Sequence, residues 1–342
     1  MRRFPAEWEN QQGILLCFPD NGNDWPGKYS AVQWAFIEFI KKVSLYEEVF
    51  LVVANEKLKV KVTEMLLQAN INLKKVSFML QKTNRSWMRD SGPIIVKNNN
   101  KREALQFKFN GWAKYANHQL DKNVPKKVAG FLNIPLTQVT YKGKPVVMEG
   151  GAIEVNGKGT LITTEECLLH PSIQVRNQGF IKVDYEAVFK EYLGITNIIW
   201  LGNGVVGDDT HGHIDDLCRF VNQNTVVTVI ESDKKSANYK PLQDNLKILQ
   251  NATLENGEKL KIILLPMPKE IIFEELCLPA SYANFLILNK CVLVPTFNDA
   301  NDRVALNILS DCFPDREIIG INAIDLIWGF GTLHCLSQQI PN

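Results

Sequence analysis

Gly331-Thr332-Leu333-His334-Cys335-Leu336-Ser337-Gln338-Gln339 sets a cysteine among small and polar residues, directly after the apolar stretch Ile324 to Phe330. The other six of the seven cysteines have apolar neighbours and read as core. A thiolate in polar surroundings can attack carbon without a metal. A cysteine next to a histidine in sequence is, taken alone, more often structural. A nucleophile at Cys335 needs a base, an orienting carboxylate and groups that hold a substrate. Beyond the adjacent His334 the segment offers none, so the fold must gather them from distant parts of the chain.

The totals narrow the search. The chain has 342 residues, a formal charge of +1 and 45% hydrophobic residues. That suits one large domain or two ordinary ones. The charge balance leaves no basic footprint for nucleic acid or a membrane surface. No run approaches the ~20 apolar residues of a membrane span. The basic start, Met1-Arg2-Arg3, is not followed by an apolar run, so no secretory signal is read. The cysteines are scattered, without a CxxC pair. This points to reduced thiols in the cytoplasm, not to disulfides or a cysteine-ligated zinc.

Short apolar runs predict strands at Ile14 to Phe18, Val49 to Val53, Val76 to Leu80, Ile94 to Lys97 and Ala104 to Phe109. Further strands are expected at Ala152 to Val155, Thr160 to Thr163, Ile198 to Leu201, Thr225 to Ile230, Lys261 to Leu265, Phe285 to Leu288, Val292 to Pro295 and Glu317 to Ile321. Ser30 to Val43 reads as a helix with Val32, Phe36, Phe39, Ile40 and Val43 on one face and Ser30 as N-cap. Other helices are expected to begin near Glu56, Val124, Asp184, Ala237 and Asn301. The last four starts recur about 55 to 65 residues apart, with strands between them, which suggests repeated strand-rich modules with one helix each. Asn98-Asn99-Asn100 reads as a hairpin turn and Asn251 to Glu258 as a loop. Nothing reads as an interdomain linker.

Three more clusters carry chemical groups. Trp87-Met88-Arg89-Asp90-Ser91-Gly92-Pro93 is either a turn with a salt bridge or a carboxylate and an aromatic face for a cation. Val146-Val147-Met148-Glu149-Gly150-Gly151 places an acid before two glycines that permit a sharp bend or a close backbone approach. Gly207-Asp208-Asp209-Thr210-His211-Gly212-His213-Ile214-Asp215-Asp216 is too rich in acids and histidines for an ordinary surface loop. In an extended segment, alternation would put His211, His213 and Asp215 on one side. This resembles the HxHxDH loop of metallo-β-lactamase-type hydrolases, so metal ligation is one alternative. The other needs no metal. A cysteine nucleophile takes a histidine partner and an orienting acid. The acids left over suit a planar guanidinium, which carboxylates hold through paired N–H donors.

The chain resembles the agmatine deiminase and Porphyromonas-type peptidyl-arginine deiminase family of the guanidine-modifying (pentein) superfamily. The resemblance is carried in order by Phe4-Pro5-Ala6-Glu7-Trp8-Glu9, Ser86 to Pro93, Phe109-Asn110-Gly111-Trp112, Met148-Glu149-Gly150-Gly151, Asp208 to Asp215, Ser281-Tyr282-Ala283-Asn284-Phe285, His334-Cys335 and Gln338-Gln339. It implies an α/β fold, a five-bladed pseudo-symmetric propeller of ββαβ-type modules, with residues 1–342 as one catalytic domain. It implies Cys335 as nucleophile, His213 as general acid/base, Asp90 and Asp215 as the guanidinium clamp, and Glu149 as the acid orienting the histidine. The implied reaction forms a covalent thiouronium, releases ammonia and needs no cofactor and no metal. A homodimer is a further expectation. The text departs from the family's at Trp328 to Leu333 and at His170 to Asn177.

Agmatine is the expected guanidine. Free and peptidyl arginine carry a carboxylate, which calls for an arginine clamp. Phe109-Asn110-Gly111-Trp112-Ala113-Lys114 offers only one lysine. Agmatine ends in an ammonium, which suits an aromatic wall and an extra acid; Trp87, Trp112 and Asp209 are the candidates. The expected partner is thus a small cationic guanidine, with no nucleic acid and no membrane, in a cytoplasmic protein of polyamine synthesis or acid resistance. The alternatives are a peptidyl- or free-arginine deiminase, a metal-dependent hydrolase built on His211, His213 and Asp215, and a non-catalytic binding protein.

Overall fold

Five small sheets repeat one pattern: an antiparallel pair, then a strand that returns parallel after a helix. The computed structural model describes residues 1–342. In the first sheet Ser337–Pro341, Gln11–Cys17, Glu48–Val53 and Val76–Leu80 are neighbours in that order. In the second, Arg2–Arg3 flanks Ile94–Asn98, Lys101–Gln106 and Leu136–Gln138. The others are Glu154–Val155 with Thr160–Thr164 and Asn197–Leu201; Cys218–Asn222 with Thr225–Ile230 and Lys261–Pro266; and Leu286–Ile287 with Cys291–Thr296 and Glu317–Asn322. Two short hairpins complete a mixed α/β architecture of many small sheets. No helix is long and apolar enough to cross a membrane.

The helices fall where periodicity places them. Val124–Leu132, Lys182–Leu193, Tyr239–Asn251 and Asn301–Cys312 each cross between the two parallel strands of a sheet. The first sheet has two such helices, Tyr29–Tyr46 and Glu56–Gln68. Val32, Phe36, Phe39, Ile40 and Val43 are all buried, as their spacing requires. Ser30 is not the N-cap: the helix starts one residue earlier, at Tyr29, and Lys28 precedes it without a side-chain cap. Asn55 does cap its helix, accepting from the Leu58 N–H. Asn133 and Gly194 end theirs in the left-handed conformation. Asn99 and Asn100 both have positive φ and close the expected hairpin.

Eight strands have no counterpart in the apolar pattern: Arg2–Arg3, Leu136–Gln138, Thr140–Tyr141, Lys144–Pro145, Cys218–Asn222, Ile271–Phe273, Leu276–Leu278 and Ser337–Pro341. Cys218–Asn222 and Ser337–Pro341 bury polar groups, which hides a strand from a hydrophobicity reading. Arg219 lies inside Cys218–Asn222 and is fully buried between Glu7 and Glu154. Ser337, Gln338 and Gln339 are buried too. Ala104 to Phe109 is also corrected, since the strand runs over Lys101–Gln106. Ala152 belongs to a short 3-10 turn, and that strand is only Glu154–Val155.

Candidate active site

The chemical groups stand at equivalent points of the five sheets, each just before the first strand of its antiparallel pair. Asp90 lies in the short helix Met88–Ser91, ahead of Ile94–Asn98. Glu149 precedes the turn Gly150–Ala152, ahead of Glu154–Val155. His213 precedes the turn Ile214–Asp216, ahead of Cys218–Asn222. Asn284 comes before Leu286–Ile287, and Cys335 before Ser337–Pro341. Four loops were expected to contribute; Asn284 brings a fifth.

Cys335, 6% exposed, is at the floor of a cavity of about 150 Å³. Trp87, Asp90, Trp112, Tyr115, Asp209 and Phe330 are among the residues that line it. The Asn284 amide donates to Cys335 Sγ at 3.0 Å, and Asp215 Oδ2 lies 3.5 Å from the sulfur. Burial, then Asp215, Asp216 and Asp90, push the thiol well above the ordinary cysteine range.

Asp90 is held in a fixed pose. Its Oδ1 accepts from the Gly151 N–H at 3.0 Å, and its Oδ2 from the Trp112 indole at 2.8 Å. Burial raises its pKa to about 6, with His213 and Trp112 opposing the rise. Arg89 makes no ion pair with Asp90. It turns the other way and donates to Gln339 Oε1 at 2.6 Å, so the salt-bridged turn is not what this segment forms.

His213 is 1% exposed, and neither ring nitrogen has a hydrogen-bond partner. Nδ1 is 3.9 Å from Asp90 and Nε2 is 3.8 Å from Glu149. Burial depresses its pKa, but Asp90, Cys167 and Glu149 outweigh this and raise it well above the usual histidine value. The ring is thus a proton donor in waiting at neutral pH. Burial disfavours the charge on Glu149 too, yet the Arg176 guanidinium wins and holds its carboxyl below the ordinary range. Arg176 Nε donates to both Glu149 oxygens, at 3.1 and 3.2 Å, and its Nη2 donates to the Thr210 carbonyl at 2.6 Å. Arg176 comes from the divergent segment His170 to Asn177 and ties two site loops together.

Asp208 shapes the loop that presents His213. Its oxygens accept from the N–H groups of Thr210, Gly212 and His213 and from the Thr210 hydroxyl. The loop is not extended: His211 has φ 67° and Gly212 φ 89°. The alternation expected of His211, His213 and Asp215 therefore fails. His211 faces Glu166 at 3.5 Å and meets the His170 ring edge to face, and it does not line the cavity. The three residues of the metal alternative do not converge. The carboxylates of Asp215 and Asp216 lie beside Cys335, and the group nearest His213 is Glu149 with Cys167.

Trp87, Trp112 and Asp209, the residues expected to face the substrate's far end, all line the cavity. Asp209 accepts from Lys114 and from the Tyr115 hydroxyl. Arg85, Asp24 and Tyr115 also line the cavity and escaped the sequence reading. Arg85 pairs with the buried Asp24, donates to Asn117 at 2.6 Å and lies over the Tyr115 ring at 4.3 Å. Asn284 and Arg176 were missed as well. The first sat in a quoted motif without a role, and the second is an ordinary-looking arginine whose burial only the fold reveals.

Known proteins match this chain from end to end. A family model, Porphyromonas-type peptidyl-arginine deiminase, matches residues 3–341. A Lactococcus lactis protein provisionally named an agmatine deiminase is 33% identical, over 99% of this chain and 95% of its own length. The solved agmatine deiminase of Enterococcus faecalis aligns with a TM-score of 0.90 at 29% identity, over 100% of this chain and 96% of its own. A cysteine-to-serine variant of C. jejuni agmatine deiminase with substrate bound gives 0.89 at 32% identity, over 100% and 97%. With matches over essentially its whole length, the chain belongs to the Porphyromonas-type peptidyl-arginine deiminase family.

Proposed function

We propose that the protein hydrolyses agmatine to N-carbamoylputrescine and ammonia, with Cys335 as nucleophile. The observation that carries the reading is the convergence around a cavity-lining thiol: Asp90 lines the same cavity, Asp215 Oδ2 lies 3.5 Å from Sγ, and His213 lies 3.9 Å from Asp90. The Enterococcus and C. jejuni neighbours, both agmatine deiminases, support the substrate.

In this account Asp90 and Asp215 accept the guanidinium N–H groups and hold its plane over Sγ. The thiolate attacks the guanidinium carbon, and protonated His213 gives its proton to the departing amine, which leaves as ammonia. A covalent thiouronium remains on Cys335. Neutral His213, oriented by Glu149, then takes a proton from water as the oxygen attacks the same carbon. As the carbon–sulfur bond breaks, the remaining hydroxyl proton passes to solvent, the thiolate returns and the neutral ureido product leaves. Agmatine fits the outer wall better than a carboxylated arginine, because both cations there are already paired: Arg85 with Asp24, and Lys114 with Asp209. Trp87 and Trp112 are left to face the alkyl chain, and the ammonium would share Asp209 with Lys114 and the Tyr115 hydroxyl.

The repeated sheet pattern and the full-length alignments support a single catalytic domain over 1–342, a five-bladed α/β propeller of pentein type with the site at its centre. A cytoplasmic homodimer completes the proposal. The test is ammonia and ureido product assayed with agmatine, arginine and arginyl peptides side by side. Agmatine should have the highest kcat/KM; preference for either arginine form sinks the substrate assignment.

A further inference from the structure

The Phe4-Pro5-Ala6-Glu7-Trp8-Glu9 motif has no part in the chemistry above, yet Glu7 lies at the buried centre of the molecule, 5% exposed. Its Oε2 is 2.8 Å from His334 Nε2 and also accepts from Arg219 Nη2 at 2.6 Å. Its Oε1 accepts from the Ile287 N–H at 2.7 Å. On the other side of the same imidazole, His334 Nδ1 is 2.7 Å from Asp215 Oδ2. Two carboxylates flanking one imidazole are both satisfied when the ring carries both of its protons. Asp215 is thereby fixed by one oxygen, while its Oδ1 is buried and has no partner in the protein. An unpartnered, fully buried carboxylate oxygen beside the nucleophile is a costly feature unless a cation meets it.

We infer that Glu7 and His334 are positioning residues: Glu7 fixes the His334 ring, and the ring holds Asp215 so that Oδ1 faces the guanidinium plane next to Cys335. This rests on the proposed reading of the site and deepens it. His334 also draws Oδ2, the oxygen 3.5 Å from Sγ, into a hydrogen bond and so damps its repulsion of a forming thiolate. The line crosses the molecule from the N-terminal motif to the last loop, which explains why a residue so far away in sequence is buried against His334.

The test reads cation recognition directly, without turnover. Cys335 is alkylated with chloroacetamidine, which carries a planar amidinium, and with neutral iodoacetamide. The ratio of the two second-order rates at Cys335, followed by peptide mass, measures how well the site receives a planar cation. In Glu7→Gln the ratio should fall about tenfold, and in His334→Gln by as much or more. Asp215→Asn should lower it too, and adding Glu7→Gln to Asp215→Asn should lower it no further. Glu154→Gln is the control, since it breaks the other half of the Arg219 pairing without touching His334. It should reduce thermal stability and leave the ratio near wild type. An unchanged ratio in Glu7→Gln, or an equal fall in Glu154→Gln, overturns the inference. If Glu7→Gln does not fold, an unchanged ratio in His334→Gln does the same. The agmatine reading fails separately, in the substrate panel, if wild-type protein prefers arginine.

Discussion

Burial beside Asp215, Asp216 and Asp90 keeps the Cys335 thiol protonated at neutral pH, against the help of Asn284. In the proposed mechanism, a guanidinium seated on Asp90 and Asp215 neutralises the charges that oppose ionisation, so the substrate helps to create its own nucleophile. Asn284→Ala removes the one amide that donates to Sγ. A lost hydrogen bond to a charged group costs about 1.5–3 kcal/mol, so kcat/KM should fall about ten- to hundredfold, with slower iodoacetamide labelling of Cys335. Asp90 governs the acid limb. Its carboxyl, raised to about 6 chiefly by burial, grips a cation only when ionised. The kcat/KM profile should therefore rise with pH through a midpoint near 6. Bound cation favours the ionised form, so the kcat midpoint lies lower. Trp112→Phe removes the indole hydrogen bond that stabilises the ionised carboxylate. Its kcat/KM midpoint should move to higher pH; an unmoved midpoint counts against Asp90 in this role.

Among the elements, the turn Gly150–Ala152 is the tightest constraint on the site. A Cβ on Gly151 would lie 2.5 Å from His213 Nδ1 and 3.0 Å from Asp90 Oδ1. Gly151→Ala should abolish turnover while leaving a folded protein, as judged by circular dichroism and thermal unfolding. Gly130→Ala, with nothing within 4 Å of its added Cβ, should leave turnover intact. The paired glycines after Glu149 were legible in sequence as a close backbone approach, and so were the helix faces and the parallel central strands, whose apolar runs are buried on both faces. The strands carrying Arg219 and Gln338 were not, because buried polar residues mimic surface in a one-dimensional reading. Asp90, Glu149, His213, Asp215 and Cys335 were each named from resemblance and are brought together here. Asn284, Arg176 and Arg85 were not named, because their roles come from partners distant in sequence. His211 and His213 look alike in sequence, but the left-handed turn at His211 separates them.

At the scale of the whole molecule, the first sheet is closed by the last strand. Ser337–Pro341 pairs antiparallel with Gln11–Cys17, and all five of its residues are buried. Deleting residues 337–342 removes the strand on which the Cys335 loop is mounted. Cooperative thermal unfolding should be lost, and not activity alone; a truncated protein that unfolds with near-wild-type Tm contradicts this closure. The same topology brings five loops, one from each sheet, to the site that holds this thiol. The account stands or falls on that thiol. Acid quenching during steady-state turnover of agmatine, followed by peptide mass analysis, tests it most directly. The account predicts that the peptide containing Cys335 gains the mass of agmatine less one ammonia, and that Cys335→Ala neither forms this adduct nor releases ammonia. Sustained ammonia release by Cys335→Ala, or an adduct on another residue, would contradict it.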